Sequence, residues 1–322
     1  MHVLKTSAAY MLTAAALLVA ASQTCPAQQL KMVPLGDFEQ WTVRNITESG
    51  ILGGETKTIF NLAPTDTVNA NSPFSYRNTD WASSNAYAVV AGITKTSCNV
   101  TPSDGPTGRC ARLETAYASC KVAGLVNVNV LVQGTLIWGK MKEPITGVSD
   151  PYASMDWGIP FTERPRAVVL DYKAKMVNSG TLTKGTTFKN QNFPGYDAAE
   201  VTLLLQNRWE AEQGTIHAKR VGTAVHHITK TSSAWGRLRV PVIYGDASKD
   251  ASYKPCMDLL CNIRPLKAVN SRGKSRVIQE DEWADPSEKV THAILIISSG
   301  SMGAFVGEIG NVLEVDNIML EY

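Results

Sequence analysis

Seven acidic side chains, Glu114, Glu163, Asp171, Asp197, Glu200, Glu210 and Glu212, are the candidates for acid–base chemistry. Two carboxylates facing each other across a cleft can divide the roles of proton donor and base. Nothing in the spacing selects a pair, and Asp197 and Glu200 surround a turn into a strand, where acids are usually solvated. Other chemistries find less support. The sequence holds no nucleophile elbow, no phosphate loop and no metalloprotease helix. A Ser-His-Asp triad is assembled in space, but no Ser stands in a recognisable setting. Zinc is disfavoured, because no Cys-x-x-Cys occurs and the histidines are scattered apart from His226-His227.

The elements that must position such groups are mostly strands. Val168, Leu170, Tyr172, Ala174 and Met176 alternate with Asp171, Lys173 and Lys175, the period of a half-buried strand. Leu238, Val240, Val242 and Tyr244 repeat the pattern. Val201 to Leu205 and Ala293 to Ile297 are short apolar runs, the second apolar on both faces as a central strand between layers is. Turn residues separate these runs, as at Asn178-Ser179-Gly180 and Phe193-Pro194-Gly195. Helical periodicity is scarce. The pattern predicts an all-β fold, an antiparallel two-sheet β-sandwich with few short helices. Residues 28–322 read as a single domain, and the polar stretch 245–290 as an elaborate loop insertion.

The chain has 322 residues with 31 Lys and Arg against 29 Asp and Glu. A net charge of +2 offers no counterion-release drive toward nucleic acid, which is excluded as a partner. Residues 1–27 read as a signal peptide: a weakly basic start, an apolar run from Ala8 to Ala21, and small residues before a cut after Ala27. The product is expected to be exported, periplasmic, secreted or at the cell surface. The rival is a lipid anchor on Cys25, for which Ser-Gln-Thr is a poor preceding signal. Export permits disulfides. Cys98 and Cys110 flank a turn-forming stretch and could be bridged, and Cys256 and Cys261 could close a small loop, leaving Cys120 odd. Equally, all five read as ordinary small residues.

The two ends are the most specific part of the sequence. It opens Leu35-Gly36-Asp37-Phe38-Glu39-Gln40-Trp41 and closes with Val315-Asp316-Asn317-Ile318-Met319-Leu320. Between them, in order, stand Ala111 to Thr115, Gly134 to Lys140, Gly158 to Pro165, Ser298-Ser299 and Phe305-Val306-Gly307. This set resembles the putative carbohydrate metabolism domain of exported Bacteroidetes proteins, over nearly all of residues 28–322. The resemblance implies a jelly-roll topology, similar to galactose-binding and carbohydrate-binding modules, and a polysaccharide or oligosaccharide as partner.

A pyranose offers an apolar face of C–H bonds and a rim of hydroxyls, so a protein grips it with flat rings and a few convergent polar groups. Trp138, Tyr152, Trp157 and Tyr172 cluster around the motif-rich centre and are the candidate platforms, with Arg164 as a forked donor. Each has a plainer reading: core packing for the rings, a salt bridge or carbonyl clamp for Arg164. The resemblance also implies a structural calcium ion where first and last strands meet, with Asp37, Glu39 and Asp316 as ligands. The plainer reading there is turn and edge hydrogen bonds without an ion. No other cofactor is expected. The function expected is non-catalytic glycan binding in glycan capture or utilisation, alongside other cell-envelope proteins of that process. Two alternatives stand. One is a glycoside hydrolase using two carboxylates about 5–9.5 Å apart. The other is a structural surface or adhesion subunit that recruits another chain by strand addition.

Overall fold

The computed structural model describes residues 29–50, 54–122, 126–147, 149–186 and 189–322. The expected leader and Cys25 lie outside these residues. Sixteen strands build two principal sheets. In chain order they are β1 (Leu30–Met32), β2 (Trp81–Ser83), β3 (Val100–Asp104), β4 (Arg109–Glu114), β5 (Thr135–Met141), β6 (Met155–Trp157), β7 (Ile159–Pro160) and β8 (Ala167–Lys175). They continue as β9 (Ala199–Glu210), β10 (Ile216–Ile228), β11 (Gly236–Pro241), β12 (Ile243–Tyr244), β13 (Lys267–Val269), β14 (Ser275–Trp283), β15 (His292–Ser298) and β16 (Val312–Glu321). The six-stranded sheet runs β11-β8-β16-β4-β3, with β1 also on β16. The ten-stranded sheet runs β6-β5-β15-β9-β10-β14-β13, with β2 on β5, β7 on β15 and β12 on β10. This is the mainly antiparallel sandwich that the alternating runs predict, with the jelly-roll character that the resemblance implies.

The sheets meet through Val168, Leu170, Leu313 and Val315 on one side and Val201, Leu203, Leu295 and Ile297 on the other, all buried. Each such side chain contributes roughly 1.5–3 kcal/mol over its exposed state. Strand β15 shows why its sequence is apolar on both faces. Ala293, Leu295 and Ile297 point into the sandwich, while Ile294 and Ile296 point the other way, into a second core. That second core is roofed by Met257, Leu260, Leu266 and Ala268. The roof comes from the polar 245–290 stretch, which is more than a loop: it supplies β13, β14 and the helix Leu260–Ile263. Strand β14 pairs in parallel with β10 (Ile216 opposite Ile278). Its charged sequence conceals the strand because Glu280 points inward, where it is neutralised by Arg220; both side chains are 0% exposed.

The opening and closing segments are neighbours. Val33 N donates to Ile318 O (3.0 Å) and Ile318 N to Gly36 O (2.9 Å), and Phe38 and Ile318 are both fully buried in the sandwich. Strand β16 is internal, flanked by β8 and β4, so it is not an exchangeable edge.

Neither of the two candidate disulfides is formed: Cys98, Cys110, Cys256 and Cys261 are free thiols, the other reading that the sequence allowed. Register explains the first pair. Val100 sits opposite Leu113 and Ser103 opposite Cys110. Cys98 is therefore five positions along the ladder from Cys110, ~17 Å at the strand rise, well past the roughly 7 Å Cα limit of a bridge. In the second pair, Cys256 packs against the second core while Cys261 is exposed beside Asn262 Oδ1 (3.4 Å).

Candidate functional site

Cross-strand partners share a face, and one rung of the larger sheet is polar. Thr135 lies opposite Ser298, Ser298 opposite Glu200, and Glu200 opposite His227. Thr135 Oγ1 and Ser298 Oγ are 2.9 Å apart. Glu200 is 2% exposed, contrary to the solvated position expected from its turn-side sequence. Thr202 Oγ1 donates to its Oε1 (2.7 Å), and Arg264 Nη2 donates to Oε1 (3.1 Å) and Oε2 (3.0 Å). Arg264 follows the short helix of the 245–290 stretch, which carries it over the sheet. Burial opposes the guanidinium's charge, but the Glu200 carboxylate more than offsets this and holds Arg264 above its ordinary pKa. Burial lowers His227, so it is neutral at physiological pH, and its Nε2 is buried without a partner.

Beside this rung the face opens into a cavity of ≈ 360 Å³. Tyr152 and Trp157 line it together, edge to face with ring centroids 6.1 Å apart. Burial raises the Tyr152 phenol, which stays protonated as a donor. Trp157 is placed by β6, which pairs with β5 at Gly139. A Cβ at Gly139, whose φ is 151°, would lie 2.3 Å from Asp156 O, so glycine permits that close pairing. Arg208 Nη1 donates to Trp157 O (2.9 Å) and fixes the backbone there. Two acids line the cavity, Glu200 and Asp150; Asp150 is ion-paired with Lys267. Asp197 accepts from Ser301 N (2.9 Å) and so anchors the segment whose Met302, Ala304 and Phe305 complete the wall.

Of the five residues expected to hold sugar, only Tyr152 and Trp157 come together here. Trp138 is 3% exposed and lies in the sandwich core, 6.0 Å from Trp81 and 5.8 Å from Phe161. Tyr172 is on the smaller sheet, half-buried against the same core. Arg164 is the carbonyl clamp: its guanidinium donates to Glu288 O (2.7 Å) and to Pro286 O and lies over the Tyr244 ring. Thr135 and Ser298 stand in motifs of the sequence but receive no place in the expected site, and Arg264 is not singled out by the sequence at all.

The acids expected to hold calcium lie in one neighbourhood, where residues 33–39 meet residues 316–318, with Glu39 Oε1 accepting from Arg109 N (2.8 Å). Asp316 is 1% exposed. Its Oδ1 accepts from Asn317 N (2.7 Å), while its Oδ2 and Asp37 Oδ1 are buried without a partner. Burial, with Asp171, Glu39 and Asp37 nearby, pushes the Asp316 carboxyl up to about 6. Two orphaned acid oxygens suit a hard cation. Among the described residues no three Asp, Glu, His or Cys side chains converge as a ready ligand set, so backbone oxygens would have to complete the shell.

Fold and cavity together define an all-β jelly-roll sandwich with a cavity on the outer face of its larger sheet. The chain belongs to the putative carbohydrate metabolism domain family, whose model matches residues 60–321. This is the family that its motifs resemble. No curated protein matches it. Among solved structures it is similar to a putative glycoside hydrolase from Bacteroides thetaiotaomicron, at 17% identity and TM-score 0.44, over 70% of this chain and 57% of that one. It is also similar to a putative glycoside hydrolase from Bacteroides vulgatus, at 15% identity and TM-score 0.44, over 91% of this chain and 94% of that one. The chain thus spans less than two thirds of the first of these proteins.

Proposed function

We propose that the protein is an exported glycan-binding protein that holds one end of an oligosaccharide or polysaccharide in the cavity without cutting it. The observation that carries this reading is the meeting of Tyr152 and Trp157 with the buried Glu200–Arg264 pair in one cavity. The rings supply platforms for C–H faces. Glu200 accepts sugar hydroxyls, while Arg264, Thr135 and Ser298 complete the hydrogen-bonding set. A glycosidase acid must release a proton in the transition state. Glu200, forked by Arg264 and bonded by Thr202, is held as an acceptor instead, and Asp150 is held by Lys267. The hydrolase reading keeps one favourable observation, that both acids line the same cavity.

The same proposal includes a calcium ion at Asp37, Glu39 and Asp316, which would supply positive charge to the orphaned oxygens and tie the chain's ends together. It also includes export by the 1–27 leader and work beside other envelope proteins of glycan use. Among the described residues no helix is long and apolar enough to cross a membrane. A glycan array on residues 28–322 tests the function. Saturable binding lost in Glu200→Gln, with no product released from the bound glycan, is the expected result. Oligosaccharide turnover abolished by Glu200→Gln would move the protein to the hydrolase class.

A further inference from the structure

The cavity changes character along the strands. Thr135, Ser298 and Glu200 form the polar rung, and two residues along the same face stand Ile137 and Ile296, themselves cross-strand partners. The two rungs are roughly 7 Å apart at the strand rise. Beyond them the sheet floor stays apolar, where Met141 of β5 pairs with Met155 of β6, and Ile93 and Leu131 also line the cavity; its polar rim comes from Asp150, Ser154 and Lys95. A bare pyranose carries hydroxyls around its whole rim. Enclosing it here would strip water from hydroxyls that the apolar wall cannot rebond, at a cost of about 1–3 kcal/mol each. A ligand that fits must turn from polar to apolar over the same distance.

Resting on the glycan reading, we infer that the cavity selects a sugar residue bearing one compact apolar substituent, an ester-linked acyl group or an aryl aglycone. The sugar hydroxyls meet the Glu200–Arg264 rung, and the substituent lies against Ile137 and Ile296. The volume of ≈ 360 Å³ is near the lower end of small-ligand sites, about 300–1,000 Å³. It suits one ring and one substituent rather than a polymer lying along a groove.

The test is calorimetric titration of the full chain with methyl and phenyl pyranosides matched sugar by sugar, with phenol alone as a further probe. For the sugar that binds, the phenyl glycoside should bind roughly tenfold tighter or more than its methyl partner, as burial of several apolar carbons requires. Ile296→Thr should narrow that ratio, and phenol alone should bind far more weakly than the phenyl glycoside. Equal affinities for a methyl and phenyl pair would overturn the inference and leave the glycan reading standing. Phenol binding as tightly as every phenyl glycoside would overturn the glycan reading itself, because the sugar would contribute nothing.

Discussion

Arg264 Nη2 lies 3.1 and 3.0 Å from the two carboxylate oxygens of Glu200, a residue 64 positions earlier in the chain. The pair ties the roof over the second core to the floor of the cavity. Removing one member of a buried pair leaves the other uncompensated, which typically costs about 3–5 kcal/mol. Arg264→Met is therefore expected to lower unfolding stability by that order in urea denaturation. Glu200→Gln, which keeps a hydrogen-bonding shape, should cost less and still lose glycan affinity. A loss under about 1 kcal/mol for Arg264→Met would show that the pair does not hold the roof.

Trp138 and Tyr152 separate stability from binding. Trp138→Ala empties a core site and should cost about 3–5 kcal/mol of stability. Tyr152→Ala, at the half-buried cavity wall, should abolish glycan binding in the same titrations while the thermal transition moves little. Unchanged binding in Tyr152→Ala would remove the ring wall from the site.

Asp316 makes stability depend on pH. Its folded-state value of about 6 lies above the ordinary 3.8. The native chain therefore keeps a proton that the unfolded chain has released, and this contribution to stability is lost as pH rises from about 4 through 6. Burial lowers His227 and His292, and these oppose the trend, so the effect is read as a difference between variants. Without calcium, the thermal midpoint of Asp316→Asn should exceed the wild type by more at pH 7.5 than at pH 5. Calcium should raise the wild type at pH 7.5 and the variant much less. A midpoint indifferent to calcium and to excess chelator would dismiss the ion.

Peptide mapping without reduction should recover Cys98 and Cys110 in unlinked peptides, and likewise Cys256 and Cys261. Burial pushes the Cys110 thiol up to about 12, so alkylation there should require unfolding. A Cys98–Cys110 crosslinked peptide would contradict the hairpin register.

Local pattern made the scaffold legible. The alternation over 168–176 and the doubly apolar run 293–297 report burial directly, and both strands lie where that pattern implies. The motifs at the two ends marked segments that are indeed adjacent. The site was only half legible, for reasons of parity and distance. In β5, Leu136 and Trp138 face the sandwich while Ile137 and Met141 face the cavity. Both sets are apolar, so sequence alone could not say which side Trp138 takes. Glu200 resembles a solvated acid until Arg264 arrives from a stretch whose charge hid its strands. Acids buried against a distant cation leave no trace in spacing.

Strand β16 is the last of its sheet to be synthesised, yet it occupies the middle. Until residues 312–321 emerge, β8 and β4 have no common partner, and the smaller layer exists only as two separate pairs, β11-β8 and β4-β3. Assembly of that layer must wait for residues 312–321, and a protein truncated before Val312 would be cleft through its centre rather than trimmed at its rim.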